Sequence, residues 1–149
     1  MDSGVDERIE LYLKMPYWII DFIPKQVPAF CFGQYSDIEK YYLEEEQLKR
    51  LRKAYAEMML VLNCYMDMDV QMGAVWMRNP DPDSLIRIFM NVQRNHLIRV
   101  LFEQESLMFD YFGCDTYMTV YHQYENCRDL LEKIALAKGV FLFDVPKEE

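Results

Sequence analysis

The chain has 149 residues, 52% of them apolar, enough to bury a sizeable core without a disulfide or a metal. Lys and Arg number 16 against 25 Asp and Glu, a net charge of −9 at neutral pH, so the mean field repels phosphate backbones and anionic lipid headgroups. Nucleic acid and membrane surfaces are thereby excluded as expected partners, and a basic protein, a cationic ligand or plain solvation suits the charge.

Val5, Ile9, Tyr12 and Leu13 recur at helical steps and predict a short N-terminal helix stopped by Pro16. Tyr17 to Ile23 reads YWIIDFI between two prolines and predicts a strand buried on at least one face. Pro24 to Gly33 is the clearest loop. Ser36 and Glu39 have the S-x-x-E spacing of a capping box, so one long helix is expected to begin there. Its apolar stripe runs from Ile38, Tyr41 and Tyr42 through Leu48, Leu51, Tyr55, Met58 and Met59 to Leu62, with Glu44, Glu45, Lys49, Arg52, Lys53 and Glu57 facing water. Glu45 with Lys49 and Glu46 with Arg50 add weak support along that face.

From Asn63 to Val70 the pattern alternates, as in a half-buried strand, and Gly73 turns the chain into a second short strand around Ala74 to Met77. Asp81 and Pro82 form an N-cap and N1 pair for a helix through Asn91. Leu97–Phe102, Leu107–Phe112 and Thr116–Tyr121 are strands close enough in sequence for an antiparallel meander, with Gly113 expected to supply a positive φ at the second turn. Leu130, Leu131, Ile134 and Ala137 mark the last helix, Gly139 its C′ residue, and Val140–Phe143 a final strand.

The fold class expected is therefore α+β: a mainly antiparallel sheet, made of the C-terminal meander plus the final strand, with a long amphipathic helix and two shorter helices packed on one face of it. Residues 1–149 are read as one domain, with an N-terminal helix or arm over 1–15 and a charged tail over 143–149. A division near Asn79 to Asp83 would leave two halves with thin cores.

Motifs that carry chemistry are scarce. Cys31, Cys64, Cys114 and Cys127 are scattered and form no C-x-x-C, and MDSGVDERIE lacks the apolar centre of a signal peptide, so reduced thiols in a cytoplasmic protein are expected. The longest apolar runs fall far short of the roughly 18 residues of a membrane span. His96 and His122 are the only imidazoles, and Cys114-x7-His122-x4-Cys127 matches no zinc arrangement. Asp67 and Asp69 lack the glycine and distal glutamate of a calcium loop, and Asp81 and Asp83 sit where a helix start calls for carboxylates. There is no G-x-G-x-x-G, P-loop or G-x-S-x-G. No catalytic residue, cofactor or metal is expected.

Aromatic residues make up 15% of the chain. Met58, Met59, Met66, Met68 and Met72 gather around the end of the long helix, and Tyr111, Tyr117 and Tyr121 are placed on one side of the meander. A sheet face left uncovered would present those tyrosines as a contact platform. The segments MPYWIIDFIPKQVP (15–28) and CDTYMTVYH (114–122) resemble stretches of small uncharacterised bacterial proteins. That resemblance covers a minor part of the chain, brings no activity with it, and implies a bacterial cytoplasmic origin.

The leading expectation is a non-enzymatic, acidic interaction protein that binds another protein of basic character, in the manner of an inhibitor or immunity protein. Tyr111, Tyr117, Tyr121, Asp67 and Asp69 are its expected contact residues. The alternative is a small-molecule-binding domain with a Tyr- and Met-lined pocket between the sheet and the long helix. A third reading, an enzyme working with carboxylates alone, requires two of them to converge in one cleft with perturbed pKa values. The outermost strand, Val140–Phe143, offers an edge at which a second copy can pair to form a homodimer.

Overall fold

The computed structural model describes residues 3–145. Pro146 to Glu149, most of the expected charged tail, lie outside the described residues, as does the Val5 side chain. In chain order the elements are α1 (Ser3–Leu13), β1 (Tyr17–Asp21), α2 (Phe32–Tyr42), α3 (Glu45–Asn63), β2 (Asp69–Met72), β3 (Val75–Arg78), α4 (Pro82–Met90), β4 (Leu97–Phe102), β5 (Leu107–Phe112), β6 (Met118–His122), α5 (Arg128–Ala137) and β7 (Phe141–Asp144). The strands form one seven-stranded sheet in the order β3-β2-β4-β5-β6-β1-β7. Every neighbouring pair is antiparallel, and the fold is of the expected α+β class. β2 pairs with β4 across Asn79–Asp83, where a division of the chain was considered.

Alternation along each strand gives the sheet two unlike faces. On one, Trp18, Ile20, Val70, Ile98, Val100, Phe109, Tyr111, Met118 and Val120 pack under Tyr55, Met58, Met59 and Leu62 of α3, Leu85 and Phe89 of α4, and Leu131 and Ile134 of α5. This is the main core. The second face carries a smaller cluster, in which Ile9 and Tyr12 of α1 cover Leu101 and Met108 with Trp76 and Tyr121 at its margin. Helices therefore lie on both faces rather than on one, and α1 covers only part of its side.

The single long helix expected from Ser36 is two helices. Glu44 is extended (φ −66°, ψ 151°) and caps α3 without a side-chain hydrogen bond. Tyr42 and Leu48 are six residues apart, a step that no helical face repeats, and Tyr41, the residue in phase with Leu48, stands half exposed. Ser36 and Glu39 are inside α2, where Glu39 Oε2 accepts from the Tyr35 hydroxyl at 3.1 Å instead of closing a capping box. Glu45 does meet Lys49, at 3.1 Å. Arg52, expected in water, is buried, as its hydrogen bonds explain below.

Strand boundaries also differ from expectation. β1 ends at Asp21, because its Oδ1 accepts the N–H of Phe22 at 2.7 Å and so withdraws that donor from the ladder. The alternating run from Asn63 becomes a strand only at Asp69. Before it, Asn63 Nδ2 donates to Met66 O at 2.9 Å and to Asn79 Oδ1 at 2.8 Å, which holds the chain in a turn. β6 opens at Met118 rather than Thr116, and the segment before it makes part of the groove described below. The Asp81–Pro82 start of α4 is as expected, with Asp81 Oδ1 accepting from Ser84 N at 2.7 Å.

Gly73 (φ +62°) and Gly139 (φ +79°) occupy the left-handed region, whereas Gly113 does not. Gly113 is required for a different reason: a Cβ there would stand 2.1 Å from the backbone oxygen of Gln93. Backbone cannot yield as a side-chain tip can, so Gly113→Ala is expected to lower stability by about 3 kcal/mol, at the upper end of ordinary overpacking. Gly33→Ala in α2, where a Cβ meets nothing within 4 Å, is the control and should be neutral or slightly stabilising. Urea melts of the two variants check this, and equal losses would refute the close-approach explanation.

Candidate functional site

The part of the second sheet face that α1 leaves open is a groove of about 550 Å³. Its floor comes from β1 (Tyr17, Ile19, Asp21), β6 (Thr119, Tyr121) and β7 (Phe143), residues that the strand register sets side by side. Leu13 at the end of α1 closes one end. The segment Ile23–Ala29, with Phe32 and Tyr35 of α2, forms the opposite wall, and Tyr117 stands beside it. Prolines at 24 and 28 and the short 3-10 turn Ala29–Cys31 carry this segment over the sheet without regular pairing. Tyr17 and Tyr121 meet with ring centroids 5.8 Å apart.

Among the described residues that make these mostly apolar and aromatic surfaces, Asp21 is the one carboxylate. It is 4% exposed, and burial pushes its pKa up from 3.8 to about 6, aided by the charges of Glu39 and Asp115. The Phe22 N–H and the nearby Thr116 hydroxyl pull the other way. Burial also raises Asp115, with Glu39 adding to the effect. Tyr35 and Tyr117 are both raised, first by burial and then by neighbouring carboxylates, and so stay neutral hydroxyl donors. Thr116 is fully buried beside Asp21, yet its Oγ1 is in no well-formed hydrogen bond.

The far side of this acidic end is anchored in the core. The connection between β5 and β6 offers three carbonyls to buried side chains: Gly113 O to Arg52 Nη2 at 2.8 Å, Asp115 O to the Tyr111 hydroxyl at 3.0 Å, and Thr116 O to the Tyr55 hydroxyl. Tyr55 also reaches Ile20 O at 3.3 Å, next to Asp21. The groove wall at Thr116 and Tyr117 is thus positioned from the opposite side of the sheet. Compared with known proteins, the chain matches no family model, no curated protein and no solved structure.

Of the residues singled out from the sequence, Tyr117 and Tyr121 lie in the groove. Tyr111 does not share their side: it is 1% exposed and belongs to the main core, because its position on β5 alternates to the other face. Asp67 and Asp69 are at the β2–β3 end of the sheet, where Arg78 pairs with them at 3.3 and 3.0 Å and Asn79 Nδ2 donates to Asp67 at 3.0 Å. They are not near the groove. The pocket expected between the sheet and the long helix is instead on the face opposite α3, and no methionine lines it. Met58 and Met59 of α3 and Met66 and Met68 of the turn before β2 are in the core, with Met72 of β2 partly buried against it.

Asp21, Tyr35 and Thr119 were missed. Asp21 had a signal, as the one charge inside YWIIDFI. Tyr35 and Thr119 had none, since nothing local marks a residue that a loop or a neighbouring strand will make a wall. No group of three or more His, Cys, Asp or Glu able to hold a metal occurs among the described residues. His122 is buried against Trp18, with ring centroids 3.6 Å apart, and burial lowers its pKa. Among the described residues no helix is long and apolar enough to cross a membrane.

Proposed function

We propose that this chain is a non-enzymatic binding domain whose groove over β6, β1 and β7 takes a small organic molecule. The observation that carries this reading is the groove itself: about 550 Å³, mostly apolar and aromatic, with one buried carboxylate and a few hydroxyls converging at one end. That is the size and composition of a small-molecule site. Among the described residues no His, Cys, Lys or Arg lines it, so Asp21, the tyrosines, Gln26 and Thr119 are the polar groups that can orient a ligand.

The test is binding of the neutral dye Nile red by fluorescence, to the native chain and to Thr119→Trp, which fills the floor. Saturable binding that weakens at least tenfold in the variant, with an unchanged melting temperature, is the expected result. Equal binding by both proteins would place the dye elsewhere and remove the groove from the argument.

A second reading, contact with a basic protein, is favoured by a separate observation. Phe30 and Phe32, on the segment that walls the groove, are 87% and 68% exposed. Large apolar side chains displayed in this way suit a protein partner, and the net charge of −9 suits a basic one.

A further inference from the structure

We infer that the groove binds a ligand with an apolar body and an ammonium group, the ammonium seated at Asp21. This rests on the ligand-binding reading above and names the chemistry of what binds.

Charge is the first ground. Asp21 faces the groove, with Glu39 bearing on it from α2 and Asp115 from the β5–β6 connection. Among the described residues no Lys, Arg or His lines the groove, and none of their ion pairs involves any of the three carboxylates. An anionic ligand would be repelled there, and a neutral one would leave a buried carboxylate without a counter-ion, the arrangement that proteins otherwise avoid.

Hydrogen bonding is the second. Asp21 accepts one bond at Oδ1, from Phe22 N–H. Thr116, 1% exposed, holds its hydroxyl close to both Asp21 and Tyr35 without a well-formed hydrogen bond to either. Unsatisfied buried polar atoms in a native structure call for an explanation, and an ammonium with several N–H donors supplies one. Shape and surface are the third. Tyr35 and Tyr117 border the groove at the Asp21 end, where aromatic rings suit a cation, while Ile19, Phe143, Tyr17 and Tyr121 line the rest for an apolar body.

The groups that face Asp21 are Tyr55 from α3, Tyr35 and Glu39 from α2, and Asp115, Thr116 and Tyr117 from the β5–β6 connection. Of these, Asp21, pushed up to about 6, loses its charge as the pH is lowered from about 7.5 to about 5, the hydroxyls stay neutral, and an alkylamine stays cationic throughout. Calorimetric titration of the full chain with octylamine, octanol and octanoate separates the alternatives. At about pH 7.5 octylamine is expected to bind at least tenfold more tightly than octanol, consistent with a charge-assisted hydrogen bond, and octanoate most weakly. Asp21→Asn is expected to bring octylamine down to the affinity that the same variant shows for octanol. On the native chain, octylamine affinity should fall as the pH is lowered to about 5, which needs no variant to fold.

Octanol or octanoate binding as tightly as octylamine would overturn the ammonium assignment while the groove still binds. An octylamine preference that persists unchanged at about pH 5 or in Asp21→Asn would overturn it too. Failure of all three ligands to bind would bring down the groove reading and this inference together.

Discussion

Asp21→Asn is expected to stabilise the fold by about 2 kcal/mol near neutral pH and to change it little at about pH 4. The folded chain holds the Asp21 proton with a pKa of about 6 against an ordinary 3.8, chiefly because burial disfavours the charge. Protonated Asp21 is therefore compatible with the fold. The stability linked to its proton is fully present below the unfolded value and is lost as the pH rises through about 6. Two units of difference correspond to about 3 kcal/mol at full ionisation. Asparagine has no charge to bury, and its oxygen keeps an acceptor for the Phe22 N–H; the new amide N–H groups need partners, which trims the gain. Urea denaturation of both proteins at the two pH values measures it. A variant less stable than the native chain at neutral pH would show that the carboxylate is satisfied within the protein, and would weaken its assignment as a ligand contact.

A residue that lowers stability where it faces a concave site has the signature of a functional group held against the preference of the fold. The same substitution separates the two roles. It should gain stability and lose amine binding together, whereas a structural aspartate would lose stability.

Much of the fold was legible because hydrophobic period is a local signal. The meander, the α4 start at Asp81–Pro82 and the α5 stop at Gly139 all follow from patterns within a few residues. What failed depended on distant partners. Arg52 reads as a solvent-facing cation until α4 and the β5–β6 connection bring their carbonyls to it. Gly113 reads as a turn glycine until Gln93 is set against it. The helix break at Glu44 has no glycine or proline to announce it; it shows in the extended backbone at Glu44 and in the half exposure of Tyr41 and Ile38.

The groove was half legible. An uncovered tyrosine-bearing sheet face was expected on general grounds, and Tyr117 and Tyr121 are on it. Its location was not, because α1 covers only the β4–β5 side of that face and the prolines of 24–28 lift the chain over the β1 side. Such placement is decided by tertiary packing, and no run of residues encodes it alone. Tyr111 shows the limit most plainly. The sequence offset between β5 and β6 does not give the register, and the register sends Tyr111 to the core and Tyr121 to the groove.

Arg52→Met is expected to cost about 3 kcal/mol. Arg52 is 8% exposed and makes no ion pair among those of the described residues; it bonds to neutral groups, Gly113 O at 2.8 Å, Met90 O at 3.3 Å and the Tyr111 hydroxyl at 3.5 Å. Met90 ends α4, so its carbonyl belongs to the negative end of a helix, where a cation is favoured. Methionine restores most of the apolar stem but leaves two carbonyls short of a donor. Hydrogen bonds to a charged group contribute about 1.5–3 kcal/mol each, and stranding a buried acceptor adds a penalty of similar size, partly relieved where water reaches Met90. Arg52→Lys keeps the charge but can reach one carbonyl and not both, so an intermediate loss is expected. The consequence reaches the groove. Gly113 O is the first of the three anchored carbonyls that set Thr116 and Tyr117 in place, so Arg52→Met should weaken ligand binding under conditions where the variant is still folded. Denaturation midpoints together with dye titrations below the transition give both readouts. A loss in stability with binding untouched would mean that the Tyr55 and Tyr111 hydroxyls hold the connection without help from Arg52.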